Sequence, residues 1–500
     1  MDKPDVNLLL RPLKAFQRRT VDYVFERLYR EGVKRFLVAD EVGLGKTLVA
    51  RGVIALAIEE LWPRLAELKR INIVYICSNG DIARQNINRL NVFDGGSGDS
   101  NHLAFATRLT MLPLHLGKLD ENPVNFISFT PGTSFNLRSS GGIGDERAML
   151  YQLLAGPWEL NRDRHRRRIA KHIFRLGVER GNWAGYLDRA SRVIEERGGI
   201  DKELMAAFLA ELEGNGGVRQ HFEELVEAVS ARLPMHESRV RFLGDIRRCL
   251  ARVCVWRLEP DLIILDEFQR FAHLLPADYE GSLPKAHGDS TTSPKDAEEL
   301  FRILTGADGD RMDPRVLLLS ATPYRPYTPR ADTGEKSHHE ELVRTVGYLL
   351  GSKEERDRFE EELRAYGEEL FQAAAVGRGV RPDVANALER RLRRVMVRTE
   401  RLGAAGDRCG MLSPGLNATS PLATEDLAQF ALVEGTSRAL DSGEPIEYWK
   451  SAPYLLNLMD HRGYRLKERF VEEVRAHTSS TPLAQAVREG ADALIDWSEI

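Results

Sequence analysis

The residues best suited to chemistry lie near the amino terminus, in ADEVGLGKT, Ala39 to Thr47. Two glycines there precede a lysine and a threonine. Glycine lets a backbone adopt dihedrals closed to other residues and lets a ligand approach the main chain closely. The loop follows the apolar run RFLVA and leads into the helix-forming LVARGVIALAIEEL. A strand that feeds such a loop and then a helix aims unpaired amides at an anion, above all a phosphate. In this setting Gly43, Leu44 and Gly45 cradle the phosphates of ATP, Lys46 reaches the β- and γ-phosphates, and the Thr47 hydroxyl holds Mg²⁺. The general pattern has Gly where this chain has Asp40.

An acidic pair completes the set. Asp266-Glu267 ends the run DLIILDEFQRF. The dipeptide alone carries no information, but after LIIL and downstream of a phosphate loop it has a defined use. Asp266 holds Mg²⁺ through water, and Glu267 orients and deprotonates an attacking water. Mg²⁺ keeps several waters, so one hydroxyl and one carboxylate suffice as protein ligands. A third apolar run, VLLL, ends in Ser320-Ala321-Thr322-Pro323, placing small hydroxyl residues near the γ-phosphate. Taken alone, that segment equally fits a capping turn before a helix.

Five runs rich in β-branched and aliphatic residues must position these groups: Arg35–Ala39, Ile71–Ile76, Val124–Phe129, Leu262–Leu265 and Val316–Leu319. Each is nearly continuous in apolar character, the pattern of strands covered on both faces of a parallel sheet. Helix-forming segments alternate with them, so an α/β doubly wound domain is expected, with ligands at the carboxyl ends of the strands. Residues 138–254 break the rhythm with charged amphipathic stretches such as ELMAAFLAELEG, and read as a helical insertion opening at the glycine-rich RSSGGIGD. Beyond about residue 330 the chain is again helical, with Phe359, Leu363, Tyr366 and Leu370 at helical spacing.

Composition narrows the class. The 500 residues amount to about three domains' worth of chain. Hydrophobic residues at 42% and charged residues at 29% exclude a disordered chain. The net charge of −4 excludes a globally basic coat but not a local basic groove. Four scattered cysteines exclude a disulfide scaffold and suggest reduced thiols. No apolar run approaches the roughly 20 residues needed to span a bilayer, and Arg11 and Lys14 interrupt the amino-terminal one. A cytoplasmic protein with no membrane partner is expected.

ADEVGLGKT, DEFQ and SATP, in this order on successive strand ends, resemble motifs I, II and III of superfamily 2 helicases and translocases. The DE-x-GLGKT form is most similar to the Swi/Snf-type branch, which includes the bacterial RNA-polymerase-associated ATPases and commonly carries Asp-Glu at the position of Asp40. The resemblance covers roughly 10–137 and 255–330. It implies a RecA-like lobe, discontinuous over 1–137 and 255–330, with a helical insertion at 138–254. A helical extension at 331–500 would lead towards a second lobe, for which no QxxGRxxR-like motif is found. LRPLKAFQRR resembles the segment that sets a glutamine, here Gln17, against adenine. Gln269 takes the last position of the acidic box and would sense the γ-phosphate. Ser320, Ala321 and Thr322 would couple hydrolysis to movement. SNGDIARQN resembles motif Ia and SFTPGTSF stands where motif Ib would be, so Ser78, Asn79, Gln85, Asn86 and Thr130 become candidates for gripping the backbone of DNA.

Two arginine-rich stretches add further candidates. NRDRHRRRIAKHIFR, with Arg166, Arg167 and Arg168, fits a nucleic-acid or partner-binding face, or a solvated helix face balanced by nearby acids. ERRLRRVMVRTER resembles the Arg-rich segment before the second lobe, or a structural brace. Arg378 and Arg381 follow no strand and do not fit as arginine fingers. The resemblance implies an ATP-dependent motor acting on double-stranded DNA, with translocation favoured over unwinding, in anti-phage defence or a transcription complex. The alternatives are a non-motor ATP-binding interaction module, half of a split motor completed by a partner lobe, and an RNA-directed helicase.

Overall fold

The computed structural model describes residues 2–93, 103–105, 108–114, 121–134, 141–196, 199–214, 217–275, 294–306, 313–322, 338–400, 424–440, 466, 469–470 and 484–486. The chain divides into two compact units, one of Met1–Tyr324 with Glu341–Ala404, the other of Arg325–Glu340 with Ala405–Ile500. In the second unit the main described element is the helix Thr424–Ala439, which buries Ala428, Val433 and Thr436.

The first unit is built on a parallel sheet of seven strands. In chain order they are Arg35–Val38 (β1), Ile71–Cys77 (β2), Leu103–Phe105 (β3), Val124–Phe129 (β4), Leu262–Asp266 (β5), Arg315–Leu319 (β6) and Met396–Val397 (β7). Across the sheet their order is β3-β4-β2-β5-β6-β1-β7, and every pair is parallel. All five expected strands are present, so the α/β expectation holds. The two edge strands were not expected. At three and two residues they are too short to show a period, and β7 sits inside an arginine-rich run.

Successive side chains of a strand point to opposite faces, and here they enter different cores. Phe36, Val38, Ile73, Tyr75, Ile264 and Leu317 pack with helices Val6–Leu10, Ala15–Phe25, Lys46–Leu61 and Gly80–Leu90. Leu37, Val74, Ile76, Ile263, Leu265 and Leu318 pack with helices drawn largely from residues 144–258. The insertion is therefore one of the two layers that cover the sheet. Its own centre is aromatic, with Trp158, Phe174 and Phe222 around Phe242.

A buried ion pair ties that layer together. Arg247 Nε lies 2.7 Å from Glu146 Oε1, both side chains fully buried, and the Thr110 hydroxyl donates to the same carboxylate. Gly142 passes beside the pair at φ +75°, where a Cβ would fall 2.5 Å from Glu146 Oε2. Removing one partner of such a pair typically costs about 3–5 kcal/mol.

The extension also differs from expectation. Residues 341–404 belong to the sheet unit and supply its seventh strand. Helices Lys353–Val376 and Pro382–Arg393 pack on each other through Phe359 and Leu388. The Arg391 guanidinium bridges Glu362 and Glu355, a brace between the two helices. Among the described residues, no helix is long and apolar enough to cross a membrane. Cys77, Cys249 and Cys254 are free and buried.

The strand register is set at the amino edge by a polar network. Asn72, almost fully buried, donates its side-chain amide to Leu258 O at 2.7 Å and accepts from the Asn125 amide at 3.0 Å. Its backbone N–H donates to Asp261 Oδ2 at 2.8 Å, while Asp261 N donates to Asn72 O at 2.9 Å. Burial raises the Asp261 carboxyl to about 6 against an ordinary 3.8, with the Asn72 amide opposing the shift. The folded chain thus holds this proton more tightly than the unfolded chain does. The contribution to stability is full below about pH 4 and is lost as pH rises through about 6. Urea titrations from pH 4 to 7 should show this decline in the parent protein and a flatter profile in Asp261→Asn.

Candidate active site

Parallel register brings the chemistry-bearing loops out along one line. Val38 of β1 pairs with Leu319 of β6, Leu319 pairs with Asp266 of β5, and Asp266 pairs with Cys77 of β2. Adjacent strands lie about 4.8 Å apart, so the phosphate loop and the acidic pair leave the sheet roughly 10 Å apart, with the Ser320 segment between them. The Ser320 amide closes the row by donating to Val38 O at 3.1 Å.

The glycine-rich loop turns through left-handed backbone at Gly43 (φ +85°) and Gly45 (φ +82°). The helix Lys46–Leu61 begins immediately after Gly45, and the first amides of a helix have no acceptor of the i−4 kind within it; Leu48 N turns to Gly45 O at 2.8 Å. Leu44 is buried and anchors the loop. Gln17 braces it from behind: Nε2 donates to Leu44 O at 2.9 Å and Oε1 accepts from Lys14 N at 2.9 Å. A Cβ on Gly45 would lie 2.5 Å from Gln17 Nε2, so this contact demands glycine. Both ends of the Gln17 amide are engaged with protein, whereas the sequence suggested a reader of adenine.

Lys46 Nζ donates to Asp40 O at 3.1 Å and Glu41 O at 3.5 Å. Burial lowers its pKa, and the charges of Glu267, Asp40 and Asp266 oppose that shift. The ammonium therefore stands in the field of three carboxylates, two of them the acidic pair. Thr47 is half-buried at the start of the helix.

Asp266 ends β5 with its carboxylate nearly buried. The Tyr75 hydroxyl and the Asn86 amide both donate to Asp266 Oδ2, and Asn86 Nδ2 also donates to the Tyr75 oxygen at 2.9 Å. Burial raises the Asp266 pKa, the Tyr75 hydrogen bond lowers it, and the neighbouring Glu267 raises it again. Glu267 has φ +51°, an uncommon conformation for a residue with a side chain, and the Gln269 amide donates to its carboxylate. This orients Glu267 independently of its neighbour. In the third segment Ser320 is buried and its hydroxyl accepts from Thr322 N at 3.1 Å, while Ala321 is half-buried and Thr322 exposed.

The departure at Asp40 has a structural reason. Residues 395–399 run parallel to β1 and the loop: Leu37 N donates to Val395 O, Ala39 N to Val397 O, and Glu41 N to Thr399 O. Asp40, fully buried, accepts from Thr399 N at 2.7 Å. Burial raises its pKa, opposed by the Thr399 hydrogen bond, Lys46 and Arg398. A glycine here would leave the Thr399 amide without this acceptor.

The remaining candidates separate. Ser78 and Asn79 are exposed and Thr130 is half-buried, on the neighbouring loops after β2 and β4, and Gln85 is exposed on the helix Gly80–Leu90. Asn86 is not a surface contact, because it is buried with its amide engaged on Tyr75 and Asp266. With Tyr75 it holds the Asp266 carboxylate. Arg166 is likewise engaged, paired with Glu223 at 2.7 Å, whereas Arg167 and Arg168 are exposed. All three lie on the helix Arg164–Arg175, in the layer of the insertion rather than at the carboxyl edge. Arg378 and Arg381 both bind Glu369, holding its carboxyl well below the usual range. Arg401 lies outside the described residues, as does Pro323.

The sequence matches no protein-family model and no curated protein at a significant level. The chemistry of this edge therefore rests on its own geometry. The strap formed by residues 395–399 is directly testable. In Asp40→Ala the Thr399 amide loses its acceptor, and hydrogen exchange at Thr399 and Glu41 should accelerate at least tenfold. Asp40→Asn, which keeps an acceptor oxygen, should remain close to the parent.

Proposed function

We propose that the sheet unit is a RecA-like lobe that binds and hydrolyses ATP, and that it serves a DNA-directed motor of the superfamily 2, Swi/Snf-like kind. The observation that carries the reading is the single row Val38–Leu319–Asp266, from which the phosphate loop, the hydroxyl segment and the acidic pair all emerge. Two left-handed glycines beside a helix start form a cradle of amides for the phosphates. The donor set, a hydroxyl at Thr47 and a carboxylate at Asp266, also suits Mg²⁺, which keeps several waters as ligands. When bound, the ion would neutralise charge on the β- and γ-phosphates.

Each residue then has one task. The loop amides and Lys46 bind the phosphate oxygens and draw off the negative charge that develops on transfer. Tyr75 and Asn86 hold the Asp266 carboxylate by its Oδ2. Glu267, steadied by Gln269, aligns a water and accepts its proton. Ser320 joins the acidic edge to β1 and lies where a change at the γ-phosphate reaches the neighbouring loops. Ser78, Asn79, Gln85 and Thr130 present polar side chains suited to a sugar-phosphate backbone.

Lys46→Ala and Glu267→Gln should each lower ATP hydrolysis by at least about 100-fold, the effect of removing one preorganised group, while Glu267→Gln keeps nucleotide binding. A phosphate-release assay with and without duplex DNA tests this. Equal rates in parent and variants would dismiss the reading. A second reading, an ATP-binding switch or one half of a two-part motor, is favoured by the engagement of Arg378 and Arg381 with Glu369. An added arginine is worth roughly 10³–10⁵ in rate in related enzymes. This chain alone should therefore turn over below about 1 s⁻¹, under the ordinary enzyme range. Faster turnover would favour the complete motor.

A further inference from the structure

The helical insertion holds a second concentration of charge, remote from the phosphate loop. The helix Arg164–Arg175 packs inward through Ile169, Ala170, Ile173 and Phe174. Several arginines around it are taken up by the fold. Arg166 pairs with Glu223 and stands 5.3 Å from the centre of the Phe222 ring. Arg239 donates to Leu176 O at 3.2 Å and Arg147 to Arg175 O at 3.2 Å, capping the helix's carboxyl end. Among the described residues, Arg164, Arg168, Lys171 and Arg175 make no ion pair with a carboxylate, although Arg175 Nη2 meets His172 Nδ1 at 3.3 Å. They recur at i, i+4, i+7 and i+11, which is one face of a helix. Like charges at such spacing destabilise an isolated helix. Burial of the opposite face offsets this cost, and the packing itself has no need of the stripe.

Arg168, Lys171 and Arg175 of the stripe line a cavity of about 590 Å³, to which Arg180 and Arg232 are also brought. A second hollow of about 480 Å³ shares His165, Arg168 and Lys171 with it and adds Arg164 and Arg167. Among the described residues, no carboxylate lines either hollow. Apolar side chains, Ile169, Trp183 and Leu187, form the floor of the larger one. The His172 imidazole in its wall is held below its ordinary pKa, by burial first and then by Arg239, Arg175 and Arg180. The cleft is thus a region of positive potential without internal compensation.

We propose that this groove binds the phosphodiester backbone of a nucleic acid. The two hollows are joined along the helix, which at about 1.5 Å per residue extends roughly 16 Å, and the cations are spread along it rather than converging on one point. A linear polyanion fits that arrangement better than a compact anion does. Arginine dominates the set, and its planar fork matches phosphate oxygens. The apolar floor suits the sugars between them. The site stands apart from the nucleotide reading, and Lys46→Ala, which tests that reading, should leave it intact.

The test is equilibrium binding of a fluorescent DNA duplex and of its single strand to the full chain over a salt series, for the parent and for Arg168→Ala/Lys171→Ala. The double variant should bind at least tenfold more weakly. The slope of log affinity against log salt for the duplex should fall by about 1.8, the share of two phosphate contacts. Arg180→Ala, on the neighbouring helix, should weaken binding in the same direction, and Arg168→Lys/Lys171→Arg should restore it. Fluorescent ATP should bind the parent and the double variant equally. Unchanged DNA affinity and slope in both alanine variants would overturn the proposal. So would displacement of the duplex by polyglutamate as readily as by unlabelled DNA, which would point to an acidic protein partner.

Discussion

The hydrogen bonds around Asn72 and Asp261 fix how the strands of the sheet stand against one another, and everything at the other end of the strands depends on that alignment. A parallel ladder has no hairpin to set its register. Here buried amide and carboxylate side chains do so, because a slip by one residue would strand the Asn72 amide and the Leu258 carbonyl without partners and would send each strand's side chains to the wrong core. Alignment at the amino edge becomes alignment at the carboxyl edge. The distance from the phosphate loop to Asp266 is therefore set by the strand spacing, and the flexible loops inherit a rigid baseline.

What was legible in the sequence follows the same division. The five long strands declared themselves, since a strand buried on both faces must be apolar throughout, and Lys46, Asp266 and Glu267 declared themselves by following such strands. Groups whose meaning depends on a distant partner did not. Nothing local distinguishes Asn86 as a ligand of Tyr75 and Asp266, or Thr399 as the partner of Asp40. Residues 138–254 read as a helical insertion because their amphipathic stretches carry much charge. Their apolar positions in fact cover one face of the sheet.

The arginines illustrate why counting charge says little. Some are internal fasteners, as at Arg247, Arg239 and Arg391, each matched to a carboxylate or a set of carbonyls. Others, such as Arg164 and Arg168, line hollows where, among the described residues, no acid stands in the wall. Both kinds enter a net charge of −4 in the same way. Only burial and partners separate the cations that hold the protein together from those that present a field to solvent.

The segment 395–399 lies against β1 as a parallel rung on the phosphate loop's own side, joined through Glu41 N and the Asp40 carboxylate. Mechanically this is a tether. Any shift of the loop backbone at Asp40 and Glu41 is imposed on Thr399 without passing through the sheet, and traction on Thr399 is felt by the loop in return. The first turn after the strand is thus mechanically coupled to Thr399 through two hydrogen bonds, one of them to a buried carboxylate.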